Sequence, residues 1–98
     1  MEPLHVEIHP TPNVNALKFV LNRRLTEGRS QTFRSAADAA GHALARSLLA
    51  IPGVVQVFIL NDFLTVTRDP AQAWDDVAAA AEAVIQQHFS QEHDSMEG

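Results

Sequence analysis

The 98-residue sequence contains no cysteine, and this absence excludes several kinds of site. Without cysteine the chain can form no disulfide, no thiolate-ligated metal site and no cysteine nucleophile. The sequence also has no apolar run near the roughly 18 residues that a membrane-spanning helix needs. Its first residues lack the basic and apolar regions of a signal peptide, so we expect a soluble, cytoplasmic protein with no membrane partner.

Positive charge is also scarce, and the formal net charge is −5. The basic cluster comprises Lys18, Arg23, Arg24, Arg29 and Arg34. It lacks the interleaved aromatic residues of a platform for single-stranded nucleic acid, so we expect no nucleic-acid partner. The cluster is either a solvated face or a contact for an acidic protein partner.

Catalytic and metal-binding patterns are missing as well. No serine lies in the Gly-x-Ser-x-Gly pattern of a nucleophile elbow, and Asp75 and Asp76 are neighbours that point in different directions on a helix. His5 and His9 would lie roughly 13 Å apart on one strand, too far to share a metal ion. We therefore expect a protein that is not an enzyme.

The apolar pattern predicts one domain built from strands and helices. Alternation over residues 4–8 predicts a first strand, and Ala16–Leu21 predicts a second strand antiparallel to it. A short strand is expected over residues 31–34. Val54–Leu60 and Phe63–Arg68 are separated by two residues that tolerate positive φ, and therefore predict a tight hairpin.

Two helices are also predicted. Ser35 and Asp38 have the spacing of a capping box and predict a helix start, with a break near Gly41 and His42 before the helix resumes. The last helix is predicted to begin at Asp69, which is followed by a proline. Its apolar stripe comprises Trp74, Val77, Ala78, Ala81, Val84, Ile85 and Phe89.

These elements predict an α/β domain of the α+β two-layer kind, with an antiparallel-rich sheet of about four strands and both helices on one face. The domain is expected to occupy residues 1–90. The acidic segment 91–98 has no apolar pattern and is predicted to be disordered. The expected core residues are Phe19, Leu48, Val57 and Trp74.

Residues 10–15 join the first two strands and form what we call the proline loop. Pro10 and Pro12 each fix φ near −65°, and Asn13 and Asn15 supply turn chemistry. Stiff loops on firm scaffolds are frequent recognition sites, although this one could also be a plain hairpin connection. The candidate partner-binding residues are Pro10, Thr11, Pro12, Asn13, Asn15, Lys18, Arg23 and Arg24.

Three segments contain distinctive sequence motifs: T-P-N-V-N-A-L-K-F at 11–19, F-R-S-A-A-D-A-A-G with L-A-R-S-L-L-A-I-P-G-V at 33–54, and V-F-I-L-N-D-F-L-T-V-T at 57–67. In this order and spacing the sequence resembles the N-terminal domain of Nfu-type iron-sulfur scaffold proteins, the Nfu/NifU N-terminal domain family. It departs from that family at Val14, where a proline is usual, and at His42 and Ala43, where Ser-Pro is usual.

The resemblance implies a role in iron-sulfur cluster assembly or delivery, with assembly proteins or apo recipient proteins as partners. In that family the cluster lies on a Cys-x-x-Cys motif in a second, C-terminal domain, and these residues contain no cysteine. We therefore expect a non-catalytic, stand-alone module that binds partner proteins. The alternative is a general protein- or peptide-binding domain unrelated to iron-sulfur maturation.

No stably bound cofactor is expected. Weak iron binding would use hard oxygen ligands, and the candidates are the carboxylates of Asp62 and Asp69 or the backbone carbonyls of residues 10–15.

Overall fold

The computed structural model describes residues 4–26 and 28–97, with side chains described as far as Phe89. The elements in chain order are β1 (Val6–Pro10), β2 (Ala16–Leu21), β3 (Gln31–Phe33), α1 (Ala43–Leu49), β4 (Val54–Leu60), β5 (Phe63–Arg68) and α2 (Trp74–Glu97). All strand pairs are antiparallel in one sheet of order β1-β2-β5-β4-β3. The predicted α+β class is confirmed, and the sheet gains a fifth strand because the short β3 pairs with β4.

The strands follow the sequence pattern closely, except at β1. β2, β4 and β5 have the predicted bounds, whereas β1 occupies Val6–Pro10 rather than 4–8. The register decides this shift, since it pairs Val6 with Leu21 and Pro10 with Leu17. Pro10 is tolerated at the end of an edge strand, where its missing N–H costs no ladder bond. In the β4–β5 turn, Asn61 has the positive φ of 55°.

The segment between β3 and α1 differs from the predicted helix. Residues 35–41 form turns, although the capping contacts are present. The Ser35 hydroxyl accepts a hydrogen bond from the Asp38 N–H at 3.2 Å, and the Asp38 carboxylate accepts one from the Arg34 N–H at 3.1 Å. The backbone bonds that follow close mainly over three residues instead of four, which stops helix growth. The predicted break near Gly41 is confirmed, and the helix predicted before it is wrong.

A histidine caps α1 in place of the usual serine. His42 has an extended backbone, with φ −131° and ψ 100°, and its Nδ1 accepts a hydrogen bond from the Ala45 N–H at 3.2 Å. The imidazole also packs against the Phe33 ring, at a centroid distance of 5.2 Å. A serine is usual at this position in the Nfu/NifU N-terminal domain family, and serine is a common N-cap residue. His42 supplies the N-cap acceptor in its place.

This cap predicts a pH dependence of stability. Burial, and then the charge of His88, lower the pKa of His42 from its ordinary value of 6.5. At His42 the folded state therefore binds fewer protons than the unfolded chain does. The stability that neutral His42 contributes is complete above the unfolded pKa and is lost as pH falls through the lowered folded pKa. We expect the melting temperature to fall less between pH 7.5 and pH 5 in His42→Ser, since serine caps without titrating.

Thermal melts followed by circular dichroism at both pH values measure the difference in melting temperature. The other histidines are the same in both proteins, so the difference between the two proteins reports on His42. An equal fall in the melting temperature of both proteins would contradict the capping role.

The start of α2 also differs from the prediction. Asp69 caps a turn rather than the helix: its Oδ1 accepts from the Ala71 N–H at 2.9 Å and its backbone oxygen from the Gln72 N–H at 2.9 Å. The Gln72 oxygen in turn accepts a 2.8 Å bond from the Arg68 guanidinium. The helix begins at Trp74, where the Val77 N–H donates to the Ala73 oxygen at 3.2 Å.

At its other end, α2 extends beyond the predicted domain limit. Its backbone is helical to Glu97, where the sequence predicted a disordered tail over 91–98. Helix hydrogen bonds are local, so a helix can continue where its apolar stripe has ended. The domain limit at residue 90 stays a prediction. Neither helix in the described ranges combines the length and apolar character needed to cross a membrane.

One face of the sheet packs against both helices and encloses the core. α1 packs against β4 and α2, while α2 also packs against β5. Phe19, Leu48 and Val57 are fully buried, as predicted. The other buried core residues are Leu21, Ala39, Leu44, Ala45, Ile51, Val54, Ile59, Leu64, Val66, Val77, Ala81 and Ile85.

Candidate functional site

The proline loop is held by its own side chains. The Thr11 hydroxyl lies 3.0 Å from the Ala16 oxygen and 2.9 Å from the Asn13 oxygen, within hydrogen-bonding reach of both. The Asn13 Oδ1 accepts from the Asn15 N–H at 2.9 Å, and the Asn13 oxygen accepts from the Ala16 N–H at 3.0 Å. These bonds form the turn that the two asparagines predicted.

The loop is also anchored from outside, by β5 and α2. The Trp74 indole N–H donates to the Val14 oxygen at 3.0 Å. The Arg68 backbone N–H donates to the Asn15 oxygen at 2.8 Å, and the Arg68 Nε reaches the Asn15 Oδ1 at 3.4 Å. The Arg68 guanidinium lies over the Trp74 ring, 4.9 Å from its centroid. Trp74 and Arg68 thus hold the loop backbone together, and we call this pair the Trp74–Arg68 bracket.

Trp74 was expected in the core, and this expectation is wrong in part. Its side chain is only half-buried and packs at the edge of the core. Because the indole N–H needs a hydrogen-bond partner, the ring stays where it can reach the loop backbone. Arg68 was not singled out from the sequence. Its role depends on the register that pairs Ala16 with Thr67, and no local signal in the sequence specifies that register.

The bracket leaves one apolar side chain in solvent. Val14 is 77% exposed at the tip of the loop, while its carbonyl is held by Trp74. A valine whose backbone is fixed loses little conformational freedom on binding, so it suits a small pocket on another protein. The structure therefore gives the proline loop the geometry of a rigid contact with an apolar tip.

The predicted basic residues do not join this loop. Lys18 lies in the middle of β2, and Arg23 and Arg24 follow the far end of that strand. A strand of this length spans roughly 20 Å, so the arginines and the loop are at opposite ends of the sheet. The single site proposed from the sequence is therefore divided into a loop, a lysine on the sheet and a distant pair of arginines.

The carboxylates proposed as weak iron ligands are separated too. Asp62 precedes β5 and Asp69 follows it, so they lie at opposite ends of a six-residue strand, roughly 20 Å apart. Among the side chains of residues 4–26 and 28–89, no group of three or more His, Cys, Asp or Glu is placed to hold a metal ion. Asp62 and Asp69 are therefore too far apart to bind the same ion.

Glu7 and His9 on β1, together with His5 just before it, form a cluster that the sequence did not predict. Glu7 lies between His5 and His9, with its carboxylate oxygens 3.3 Å and 3.1 Å from their Nε2 atoms. Hydrogen bonding to His9, and then to His5, lowers the pKa of the Glu7 carboxyl below its usual range. All three side chains are exposed. They lie on one face because alternate residues of an extended strand point in the same direction.

Residues 6–92 match the family model described as scaffold protein Nfu/NifU N terminal. The chain belongs to this family. The match begins at β1 and extends into α2, so it includes every strand, the proline loop and the Trp74–Arg68 bracket. The resemblance seen in the sequence is confirmed.

Relatives of this Nfu/NifU N-terminal chain are found in plants and animals. It is 32% identical over 89% of its length to NifU-like protein 4, mitochondrial, of Arabidopsis thaliana, of which it covers 31%. It is 34% identical over 89% of its length to the mitochondrial NFU1 iron-sulfur cluster scaffold homolog of Homo sapiens, of which it covers 35%. The chain thus spans about a third of these relatives.

A solved structure has the same fold. The solution structure of a NifU-like protein from Saccharomyces cerevisiae superposes with a TM-score of 0.76 at 25% identity. The superposition covers 91% of this chain and 81% of the yeast chain. The Nfu/NifU N-terminal fold therefore includes the sheet and helices described above.

Proposed function

We propose that this chain is a non-catalytic protein-binding module of iron-sulfur cluster assembly or delivery, and that the proline loop is part of its contact surface. The observation that carries the proposal is the exposed Val14 on a backbone fixed by Trp74 and Arg68. Loops held on a rigid scaffold are favourable recognition elements, because little entropy is lost when they bind.

The class of partner follows from the family. A relative named as an iron-sulfur cluster scaffold homolog contains this domain as about a third of its length, so the domain there accompanies further sequence. We infer that the partners are iron-sulfur assembly proteins or apo recipient proteins. Thiolate ligation of a cluster needs cysteine, which these 98 residues lack. We therefore propose that they contact partner proteins and do not ligate a cluster through thiolates.

The loop is best tested at its tip. Asn13 and Asn15 hold the loop together, so replacing them would change the scaffold and the surface at the same time. Val14→Asp changes only an exposed side chain, and Val55→Asp is the matched control because Val55 is a 46% exposed valine on β4.

The test is affinity capture from a cell lysate with the immobilised chain, followed by quantitative mass spectrometry. We expect the chain to enrich iron-sulfur carrier or recipient proteins, and Val14→Asp to reduce their recovery by about tenfold, the equivalent of about 1.4 kcal/mol. Val55→Asp should retain most of the recovery. Enrichment of proteins without any iron-sulfur connection would favour the alternative, a general protein-binding domain.

Equal losses in both folded variants would remove the loop from the contact surface. Circular dichroism on each variant checks that the fold is intact.

A further inference from the structure

The sheet face that points away from the helices carries an apolar patch. The register places Val20 opposite Phe63, and Phe63 opposite Leu60, across β2, β5 and β4. Phe58 lies in the next row, and its ring centroid is 6.2 Å from that of Phe63. We call Val20, Phe58, Leu60 and Phe63 the open-face patch. All four are half-buried, and together they form a continuous apolar surface.

The patch is separate from the core. Along each strand its members alternate with fully buried residues, as Val20 does with Phe19 and Phe63 does with Leu64. Successive side chains of a strand point to opposite faces, so a residue next to a core residue faces outward. None of the four packs against the core cluster in the described part of the chain.

Positive charge borders this patch. The Lys18 ammonium lies over the Phe63 ring, 4.3 Å from its centroid. On the opposite side, the Arg34 Nε donates to the Gln56 side-chain oxygen at 3.2 Å. Within the described strands, Glu7 is the carboxylate on this face, and it is engaged by two histidines. Two cations, Lys18 and Arg34, therefore lie beside the patch on a chain whose net charge is −5, and the carboxylates nearest to it are Glu7, opposite Val20, and Asp62 in the β4–β5 turn.

We propose that the open-face patch docks an acidic amphipathic helix of a partner protein. Its apolar side chains would lie on the patch, and its carboxylates would meet Lys18 and Arg34. The patch crosses three strands and is therefore roughly 10 Å wide, which matches the diameter of about 10 Å of an α-helix with its side chains. This inference rests on the proposed function as a protein-binding module and specifies the chemistry of the partner.

Charge argues against a second copy of this chain as the occupant. A second copy would bring a face with the same two cations, Lys18 and Arg34, and with Glu7 as its carboxylate on the described strands. An acidic helix reverses this balance, because its carboxylates neutralise the cations at the border.

The probe is a pair of synthetic amphipathic peptides of about 15 residues, with leucine at the i, i+3, i+4, i+7 spacing of one helix face. One peptide carries glutamate on its polar face, and its twin carries lysine. Each is titrated into the isotopically labelled full chain, and amide chemical shifts are recorded. We expect the acidic peptide to shift amides of β2, β4 and β5, and its lysine twin to bind about tenfold more weakly or worse.

Matched variants assign the effect to this face. Lys18→Glu reverses a charge beside the patch, and Arg46→Glu makes the same change on the exposed side of α1. Lys18→Glu should weaken binding of the acidic peptide by about tenfold, while Arg46→Glu should leave it within about twofold. Should Lys18→Glu fold poorly, Lys18→Met keeps the length of the side chain and removes only the charge.

The inference is overturned if both peptides bind equally, if the shifted amides lie on the helices, or if the folded Lys18 variants bind like the parent chain. A parent chain that dimerises through the patch, seen by sedimentation, would replace the helix with a second copy. This test uses no iron-sulfur protein. Peptide binding together with a failed lysate capture would therefore retain the docking surface and reject only the proposed function.

Discussion

Phe19→Ala is expected to lower the free energy of unfolding by about 3–5 kcal/mol. Phe19 is 0% exposed in the middle of β2, opposite Leu64 of β5 and on the face that both helices cover. Removing its ring leaves a cavity in the centre of the core, and the surrounding side chains are held by strands and helices that cannot collapse into it. Urea denaturation measured by circular dichroism gives the change.

Phe58→Ala is the matched control, because it removes the same ring from the open face. Phe58 is only half-buried and lies outside the core, so we expect a smaller loss of about 1–2 kcal/mol. Losses of similar size in the two variants would show that both faces of the sheet are covered. That result would contradict the two-layer packing and the open-face patch together.

Gly53→Ala is expected to destabilise the fold by about 2–4 kcal/mol, from two separate causes. Gly53 has φ +95°, in the left-handed region that residues with a Cβ avoid. A Cβ at this position would also collide with the Gln72 side chain, whose Cβ would be 2.9 Å away. Gln72 cannot move freely, because its backbone oxygen is held by Arg68.

The other glycines separate these two causes. Gly28 has φ +83° but open space around it, so Gly28→Ala should cost only the backbone strain, about 1–2 kcal/mol. Gly41 lies outside the left-handed region and also has open space, so Gly41→Ala should be neutral or stabilise by up to about 1 kcal/mol. If Gly53→Ala were no worse than Gly28→Ala in urea denaturation, the close approach of residues 53 and 72 would be wrong.

Gly53 also connects the fold to the candidate site. Its oxygen accepts a 2.7 Å bond from the Asp69 N–H, and the turn at Asp69 places Gln72 beside Arg68. Arg68 then supports the Trp74 ring and the loop backbone at Asn15. Gly53, which follows α1, is therefore part of the structure that holds the proline loop, although some 40 residues separate the two in sequence.

Local sequence patterns determined most of the elements. The β-branched and aromatic runs specified β2, β4 and β5 with their final bounds, because a side-chain period of two leaves little ambiguity about a strand. The apolar stripe specified the buried side of α2 in the same way, and Asn13 and Asn15 specified the turn of the proline loop. Three motif segments were sufficient to indicate the Nfu/NifU N-terminal family.

Helix ends were predicted less well, because caps compete with nearby turns. Ser35 and Asp69 both make the contacts of a cap, yet each one closes a turn and the helix begins later. At Ser35 the backbone bonds that follow close mainly over three residues, and at Asp69 the Gln72 oxygen accepts a bond from the Arg68 guanidinium. A capping pattern in the sequence indicates which atoms can form local hydrogen bonds. It does not indicate whether the backbone groups that follow continue into a helix or close a turn.

The site itself was decided by the tertiary structure. The sequence indicated a stiff loop and nearby cations, but strand order and register placed Arg68 beside Asn15, and the turn after β5 placed Trp74 against the Val14 backbone. The distance of Arg23 and Arg24 from the loop follows from the length of β2, whose bounds the sequence had already indicated. The apolar residues of β4 and β5 are likewise divided between a covered face and an open one. Alternation shows that two faces differ, and only the packing of the helices decides which of them becomes the core.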